Sequence, residues 1–270
     1  MKEGLAFLLI LILIRNDLKM TDTINFEEHL FKDQLAIYIS SVWVLNNTSS
    51  FGHEIVLIPD GMIDMCCFYD LEGNMQKMLF GLCTKPEMTV IPPHSEMRVI
   101  SFTPLGIEYL LKININDIVD SQCCLPSDFL PQIDFSRGNI QKLITSAYMW
   151  VTSIGVEDIE QKKIDLFDIV TKNRGNIVIK ELESTIFWNQ RQMNRYFNNS
   201  FGISLKKYCN VLRFYSNVAG VKRGSFFPDI GFSDQAHFIR ETRKLCGVTP
   251  RELFQNKNDR FIQLSKFSDI

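Results

Sequence analysis

Arg191, Asn194 and Arg195 fall at i, i+3 and i+4, a spacing that places three side chains on one face of a helix. Their chemistry suits a DNA major groove: a guanidinium forks onto guanine O6 and N7, and an amide onto adenine N6 and N7. A second group, Gln235, His237, Arg240, Arg243 and Lys244, offers donors and charge for base edges and phosphates. A third set, Trp43, Asp64, Phe68 and Arg98, mixes apolar body with charge and could line a small-molecule pocket. In the competing reading Trp43 and Phe68 are core and the charges are rim.

Catalytic chemistry finds no such foothold. His29, His53 and His94 are isolated, and no H-x-H or H-x-x-x-H spacing suggests a metal. The seven cysteines, Cys66, Cys67, Cys83, Cys123, Cys124, Cys209 and Cys246, are odd in number and lack C-x-x-C spacing. They read as small apolar residues in a reducing compartment rather than as disulfides or zinc ligands. No Ser/His/Asp or Cys/His arrangement and no phosphate loop stands out, so neither an enzyme, a metal nor a cofactor is expected.

The elements that must position these residues divide the chain. Residues 1–136 carry 8 Lys+Arg against 18 Asp+Glu, a net of −10, whereas residues 137–257 carry 19 against 11, a net of +8. An acidic half followed by a basic half is the asymmetry expected when only one part touches a polyanion. From Ile37 to Val99, β-branched and aromatic runs alternate with turn residues. Glu54–Ile58 stops at Pro59-Asp60-Gly61, where Pro presets φ and Gly takes positive φ. Short strands at this spacing suggest a sandwich or barrel. Residues 105–120 then look helical, Arg137–Thr152 reads as an amphipathic helix, and 156–171 is a second helix or linker.

The basic half carries two helix starts. Asn189 and Ser233 are N-caps 44 residues apart, each with a side-chain oxygen for orphan N–H groups. Between them, Leu205–Ala219 is a candidate linker helix. Gly231 makes a tight turn, Gly247 is a helix stop and Pro250 prevents continuation.

The segment Gly231-Phe232-Ser233-Asp234-Gln235-Ala236-His237-Phe238-Ile239-Arg240, followed by Gly247-Val248-Thr249-Pro250, strongly resembles the signature of the AraC family of bacterial transcription regulators. Ile179–Leu182, the turn at Phe187-Trp188, the helix Gln190–Phe197 and the closing Phe201-Gly202-Ile203-Ser204 match that family's first helix-turn-helix unit. The resemblance implies two recognition helices, about 190–199 and 234–245, in successive major grooves roughly 34 Å apart. Arg191, Asn194 and Arg195 match the base-contacting positions of the first helix. Gln235, Ala236, Ile239 and Arg240 match those of the second, with Gln235 and Arg240 favoured because Ala236 and Ile239 could touch only thymine methyls or backbone.

Tyr38–Trp43, Leu57–Asp64, Gly81–Pro86 and Ser101–Gly106 are similar, less specifically, to a β-rich N-terminal domain found on some AraC-type regulators, a distant relative of cupin barrels. The expected fold is α+β: a barrel-like, cupin-related N-terminal domain, then an all-α domain with two helix-turn-helix units joined by a linker helix. Expected boundaries are 20–136 for ligand sensing or dimerisation, 137–171 for a helical linker, 172–257 for DNA binding and 258–270 for a tail. The implied partners are double-stranded promoter DNA, RNA polymerase, a small-molecule effector and a second copy of the chain, in the cytoplasm.

Two departures from the family pattern stand out. Pro228 cannot sit deep in a helix, so the first helix of the second unit must be short or begin there. Thr242 stands where the family has a core Phe, a loss of about 2–4 kcal/mol by analogy with large-to-small changes, with Phe226 or Phe227 as candidates to refill the space. The alternative is therefore a small-molecule-binding β-barrel or enzyme with a decayed helix-turn-helix tail. The apolar run Leu5–Ile14 is too short to span a bilayer. It reads as a misassigned start before Met20, ahead of a weak membrane anchor and a signal peptide.

Overall fold

The computed structural model describes residues 23–32, 34–70, 72–154, 159–256, 260–262 and 264. The leader, 1–19, and most of the tail lie outside them. The protein is an α+β chain, with a β-rich N-terminal half followed by a helical C-terminal half.

Among the described residues eight strands form in the first half: β1 (Ile24–Leu30), β2 (Ile39–Asn47), β3 (His53–Leu57), β4 (Ile63–Tyr69), β5 (Met75–Phe80), β6 (Glu87–Ile91), β7 (Ser95–Phe102) and β8 (Gln122–Leu125). Six make one antiparallel sheet in the order β1-β2-β7-β4-β5-β8, and β3 pairs with β6 as a separate ribbon. Among the described residues the sheet does not close on itself, which corrects the expected barrel. The edges are β1, which carries the charged pair Glu27-Glu28, and β8, only four residues long. Short or charged edges are how open sheets resist further pairing.

Each sheet face buries its own core. Trp43, Leu45, Cys66 and Val99 meet Ile55 and Ile91 of the ribbon. Val42, Val44, Met65, Cys67, Ile100 and Phe102 face the helices. The Pro59-Asp60-Gly61 turn forms as the residues dictate. Gly61 has φ +86°, and the Asp60 carboxylate accepts the Met62 N–H at 2.9 Å.

The helices are α1 (Pro104–Gly106), α2 (Ile140–Ile154), α3 (Gln161–Lys172), α4 (Ile179–Ile186), α5 (Gln190–Phe201), α6 (Leu205–Lys222), α7 (Gln235–Cys246) and α8 (Pro250–Gln255). The expected helix over 105–120 is instead the single turn α1, a π turn over Ile107–Leu111, and a 3-10 turn over Asn116–Ile118. Asn114 explains part of the break, because its side-chain oxygen accepts the Asn116 N–H at 3.0 Å, a local bond that competes with helix. None of the described helices is long and apolar enough to cross a membrane.

The two halves share their cores. Phe102 of β7 stacks edge-on against Trp150 of α2 at 6.2 Å. Val56 and Ile58 lie in one cluster with Phe214, Phe238, Leu245, Leu253, Phe261 and Leu264, and the Val56 N–H donates to the Arg260 carbonyl at 2.7 Å.

Candidate nucleic-acid interface

The first unit is α4, a three-residue turn and α5. Phe187 takes the left-handed conformation at φ 52° and is 92% exposed, while Trp188 beside it is buried. Asn189 caps α5 with a full capping box: its carboxamide oxygen accepts the Gln192 N–H at 2.9 Å, and the Gln192 side chain accepts from the Asn189 N–H. Met193, Phe197 and Phe201 point inward. Phe197 lies 5.4 Å from both Phe201 and Tyr208, and 5.5 Å from Phe167. That leaves Arg191 and Arg195 exposed and Asn194 half-buried on the outer face.

The inner half of α5 is gripped by the N-terminal domain. The Tyr196 hydroxyl donates to Glu108, and Lys163 of α3 donates to the same carboxylate at 2.5 Å. Burial, then the Glu108 charge, push the Tyr196 hydroxyl well above its ordinary value. Burial opposes the Lys163 charge, but its hydrogen bonds to Glu108 and Tyr109 outweigh burial and hold the ammonium above its ordinary value. Asn114 donates to the Asn199 carbonyl, and the Ile115 N–H to that of Ser200. Gly202 ends the helix at φ +70°, and a Cβ there would lie 2.4 Å from the Asn116 carbonyl oxygen.

The second unit is less regular. No helix forms over residues 223–234, so the expected leading helix is absent. Gly224 has φ +84°, and Pro228 has no N–H to continue a helical ladder. Asn217 takes over the positioning: its amide donates to the carbonyls of Arg213 and Ile230 at 2.8 and 3.3 Å, and its oxygen accepts the Asp229 N–H at 2.8 Å. Gly231, at φ +74°, then turns the chain into α7.

The N-cap of α7 is Asp234, not Ser233. The Asp234 carboxylate accepts the His237 N–H at 2.7 Å. A charged cap suits the positive end of the helix, and that backbone bond holds the carboxyl below its ordinary range. Ser233 instead donates to Asp234 and faces His237 Nδ1 at 3.3 Å.

Arg240, Arg243 and Lys244 are exposed and repeat the i, i+3, i+4 spacing of the first helix. Gln235 is exposed, with its amide 3.4 Å from the Phe226 carbonyl, and His237 is half-buried against Phe232. Thr242 is fully buried. Phe227 is 67% exposed and Phe226 stacks on Phe254, whereas Phe261 and Leu264 share the cluster of Phe238 and Leu245. Those aromatic and aliphatic groups come from residues the sequence reading assigned to the tail.

The third candidate set does not come together. Trp43, Asp64 and Phe68 lie on the ribbon-facing side of the sheet, in register with Val99, Ser101 and Met97. Trp43 Nε1 donates to Ser101 Oγ at 3.0 Å, which donates to Asp64 at 2.6 Å. Arg98 pairs with Val44 and Cys67 on the opposite face, where it is 1% exposed and donates to Glu96 and the Gly138 carbonyl.

The cysteines are free thiols among the described residues, and burial pushes Cys67 up to about 11 and Cys209 and Cys246 up to about 12. Asn217, Lys206 and Arg213 were not singled out from the sequence. Asn217 was legible in principle as a polar residue breaking the apolar stripe of Val211, Phe214, Val218 and Val221.

A family described as a domain of unknown function, DUF6597, matches residues 27–124. No curated protein matches. Among solved structures, apo ToxT from Vibrio cholerae is 11% identical, over 87% of this chain and 98% of that one, at a TM-score of 0.41. ToxT from Vibrio cholerae O395 is 13% identical, over 92% and 98%, at 0.39. The same protein bound to (E)-4-(8-methylnaphthalen-1-yl)but-3-enoic acid is 12% identical, over 86% and 99%, at 0.39.

Proposed function

We propose that the protein is a DNA-binding transcription regulator of the AraC type, reading promoter DNA chiefly through α5. The observation that carries this reading is the outer face of α5, where Arg191, Asn194 and Arg195 stand on a capped, rigidly backed helix. The matched Arg240, Arg243 and Lys244 on α7 and the +8 charge of residues 137–257 support it. Base discrimination falls to Arg191, Asn194 and Arg195, with Gln235 and Arg240 as second readers and His237, Arg243 and Lys244 on phosphates. In this reading residues 20–136 sense a signal or dimerise, residues 172–257 bind DNA, RNA polymerase is the downstream partner and the protein works in the cytoplasm without catalysis.

Binding of purified protein to genomic fragments and random duplex, at several salt concentrations, tests the reading. Affinity should fall steeply with salt, and a subset of fragments should bind tighter than random duplex. Arg195→Ala should cost about 1–3 kcal/mol of discrimination against the wrong base, with Arg240→Ala costing less and circular dichroism unchanged in both. Equal affinity for every duplex sinks the reading.

The missing helix over 223–234 favours a second reading, a ligand-binding N-terminal domain whose helix-turn-helix tail has decayed. That reading predicts a ligand-dependent thermal shift without sequence-preferring DNA binding.

A further inference from the structure

A cavity of about 220 Å³ lies between α6 and α7, lined by Lys206, Asn210, Arg213, Phe232, His237 and Glu241. Lys206, Asn210 and Arg213 fall at i, i+4 and i+7, one stripe of α6. Arg213 is set into its wall: one guanidinium nitrogen, Nη2, donates to the Gly175 carbonyl at 3.0 Å. Its Nε is buried without a hydrogen-bond partner among the described residues. A Cβ on Gly231 would lie 2.5 Å from Arg213 Cδ, so the turn into α7 closes directly over that side chain. Two cations face one carboxylate, and Glu241 is also 3.7 Å from Lys244. The cavity thus carries two cationic side chains against one carboxylate on a partly apolar wall, and is bounded by the helix that joins the two units.

We propose that this cavity receives one backbone phosphate of the duplex, on the strand that passes between the two recognition helices. The proposal rests on the DNA-binding reading. Two helices in successive major grooves leave a minor groove between them, bordered by phosphates. Three residues separate α5 from α6, which leads to the segment that enters α7; in this proposal the α7-facing stripe of α6 lies toward that intervening backbone. Lys206 supplies a mobile charge at the rim, Asn210 a neutral donor and Arg213 a fixed guanidinium at the wall, the combination that holds a phosphate by charge and direction together. The cavity adds register on the DNA and no base preference.

The test uses the full chain on its own selected duplex. Lys206→Gln should flatten the plot of log affinity against log salt by about 0.9, the contribution of one phosphate, and leave the ranking of sequences as it is. Methylphosphonate placed one position at a time between the two half-sites should weaken wild type about tenfold at one position, and weaken Lys206→Gln there far less. Asn210→Ala should repeat the pattern with the salt slope unchanged. A wild-type slope in Lys206→Gln, or equal sensitivity of both proteins at every methylphosphonate position, overturns the proposal. So does saturable binding of inorganic phosphate that Lys206→Gln abolishes without altering duplex affinity, which would make this a site for a free anion. A wild type that binds no duplex preferentially would instead sink the parent reading.

Discussion

Replacing Asn217 with Ala should loosen the approach to α7 without disturbing α5. Asn217 is buried in the middle of α6, and both ends of its amide are used on the segment that stands where a leading helix would be. Ala removes a well-formed bond to Asp229 N and a longer one to the Ile230 carbonyl, and it leaves those backbone groups part-buried. A net hydrogen bond is worth about 1 kcal/mol, and an orphaned buried donor or acceptor about 1–3 kcal/mol, so the expected loss is about 2–3 kcal/mol. The urea midpoint should fall with the slope unchanged, and DNA affinity should fall with it because Gly231 and α7 hang from this segment. Asn217→Asp keeps the acceptor but loses the donor and buries a charge, so it should be at least as damaging. An Asn217→Ala protein within about 0.5 kcal/mol of wild type, the usual range for neutral surface changes, would refute the idea that this side chain replaces the missing helix.

Three further outcomes are expected. Thr242→Val should raise stability by about 1 kcal/mol, since Thr242 is fully buried and its hydroxyl has no partner among the described residues; a lower thermal midpoint would show that the hydroxyl is satisfied. Asn189→Ala should cost about 1 kcal/mol through the lost cap of α5, read by urea denaturation, with Asn189→Ser recovering most of it. Lys163 and Tyr196 both have folded-state values above their ordinary ones, so their contribution is fully present below about pH 10 and is lost as pH rises beyond it. Unfolding midpoints taken from pH 8 to 11 should therefore decline more steeply in wild type than in Glu108→Gln, and parallel profiles would rule out the Glu108 latch.

The parts legible from sequence were those where one local rule decides the outcome. Asn189 precedes a helix with Gln192 at the third position, the two residue types of a capping box, and that box is present. Gly231, Gly202 and Gly247 take positive φ where helices must turn or end. Strands β2, β3, β4, β6 and β7 follow β-branched or aromatic runs cut by turn residues, whereas β5 (Met75–Phe80) is built on Met, Leu and Phe. What escaped depends on partners distant in sequence. Strand β1 is polar on one side and exists because β2 pairs along its whole length. Asp234 displaced Ser233 as the cap because two adjacent residues could both serve and only the backbone geometry chooses. The Trp43–Arg98 pocket failed on parity: Trp43 opposes Val99, so Arg98, one residue away, points through the sheet to the other side.

The cluster that surrounds Phe238 and Leu245 of α7 shows why the two units are unequal. Local refilling would have used Phe226 or Phe227, but Phe227 is exposed and Phe226 is stacked on Phe254. The cluster around Phe238 and Leu245 is completed from far along the chain, by Phe261 and Leu264 on one side and Val56 and Ile58 on the other. The first unit also draws its core from elsewhere, sharing one cluster with Phe167 and Ile115, while its closing glycine sits on the Asn116 carbonyl and Tyr196 is tied to Glu108. Helices α5 and α7 are therefore fastened to the N-terminal half at different places, α5 through the 107–119 segment and α7 through the cluster that includes Val56 of β3. Those places are different parts of one N-terminal half, the turns over 107–119 and the β3–β6 ribbon, and the proposed binding in successive grooves demands a particular separation. Truncating Phe261 to Ala should cost about 3–5 kcal/mol by cavity formation, and the loss should appear in α7 contacts while the α5 preference persists. Equal loss of preference at both half-sites would mean that the two fastenings act as one.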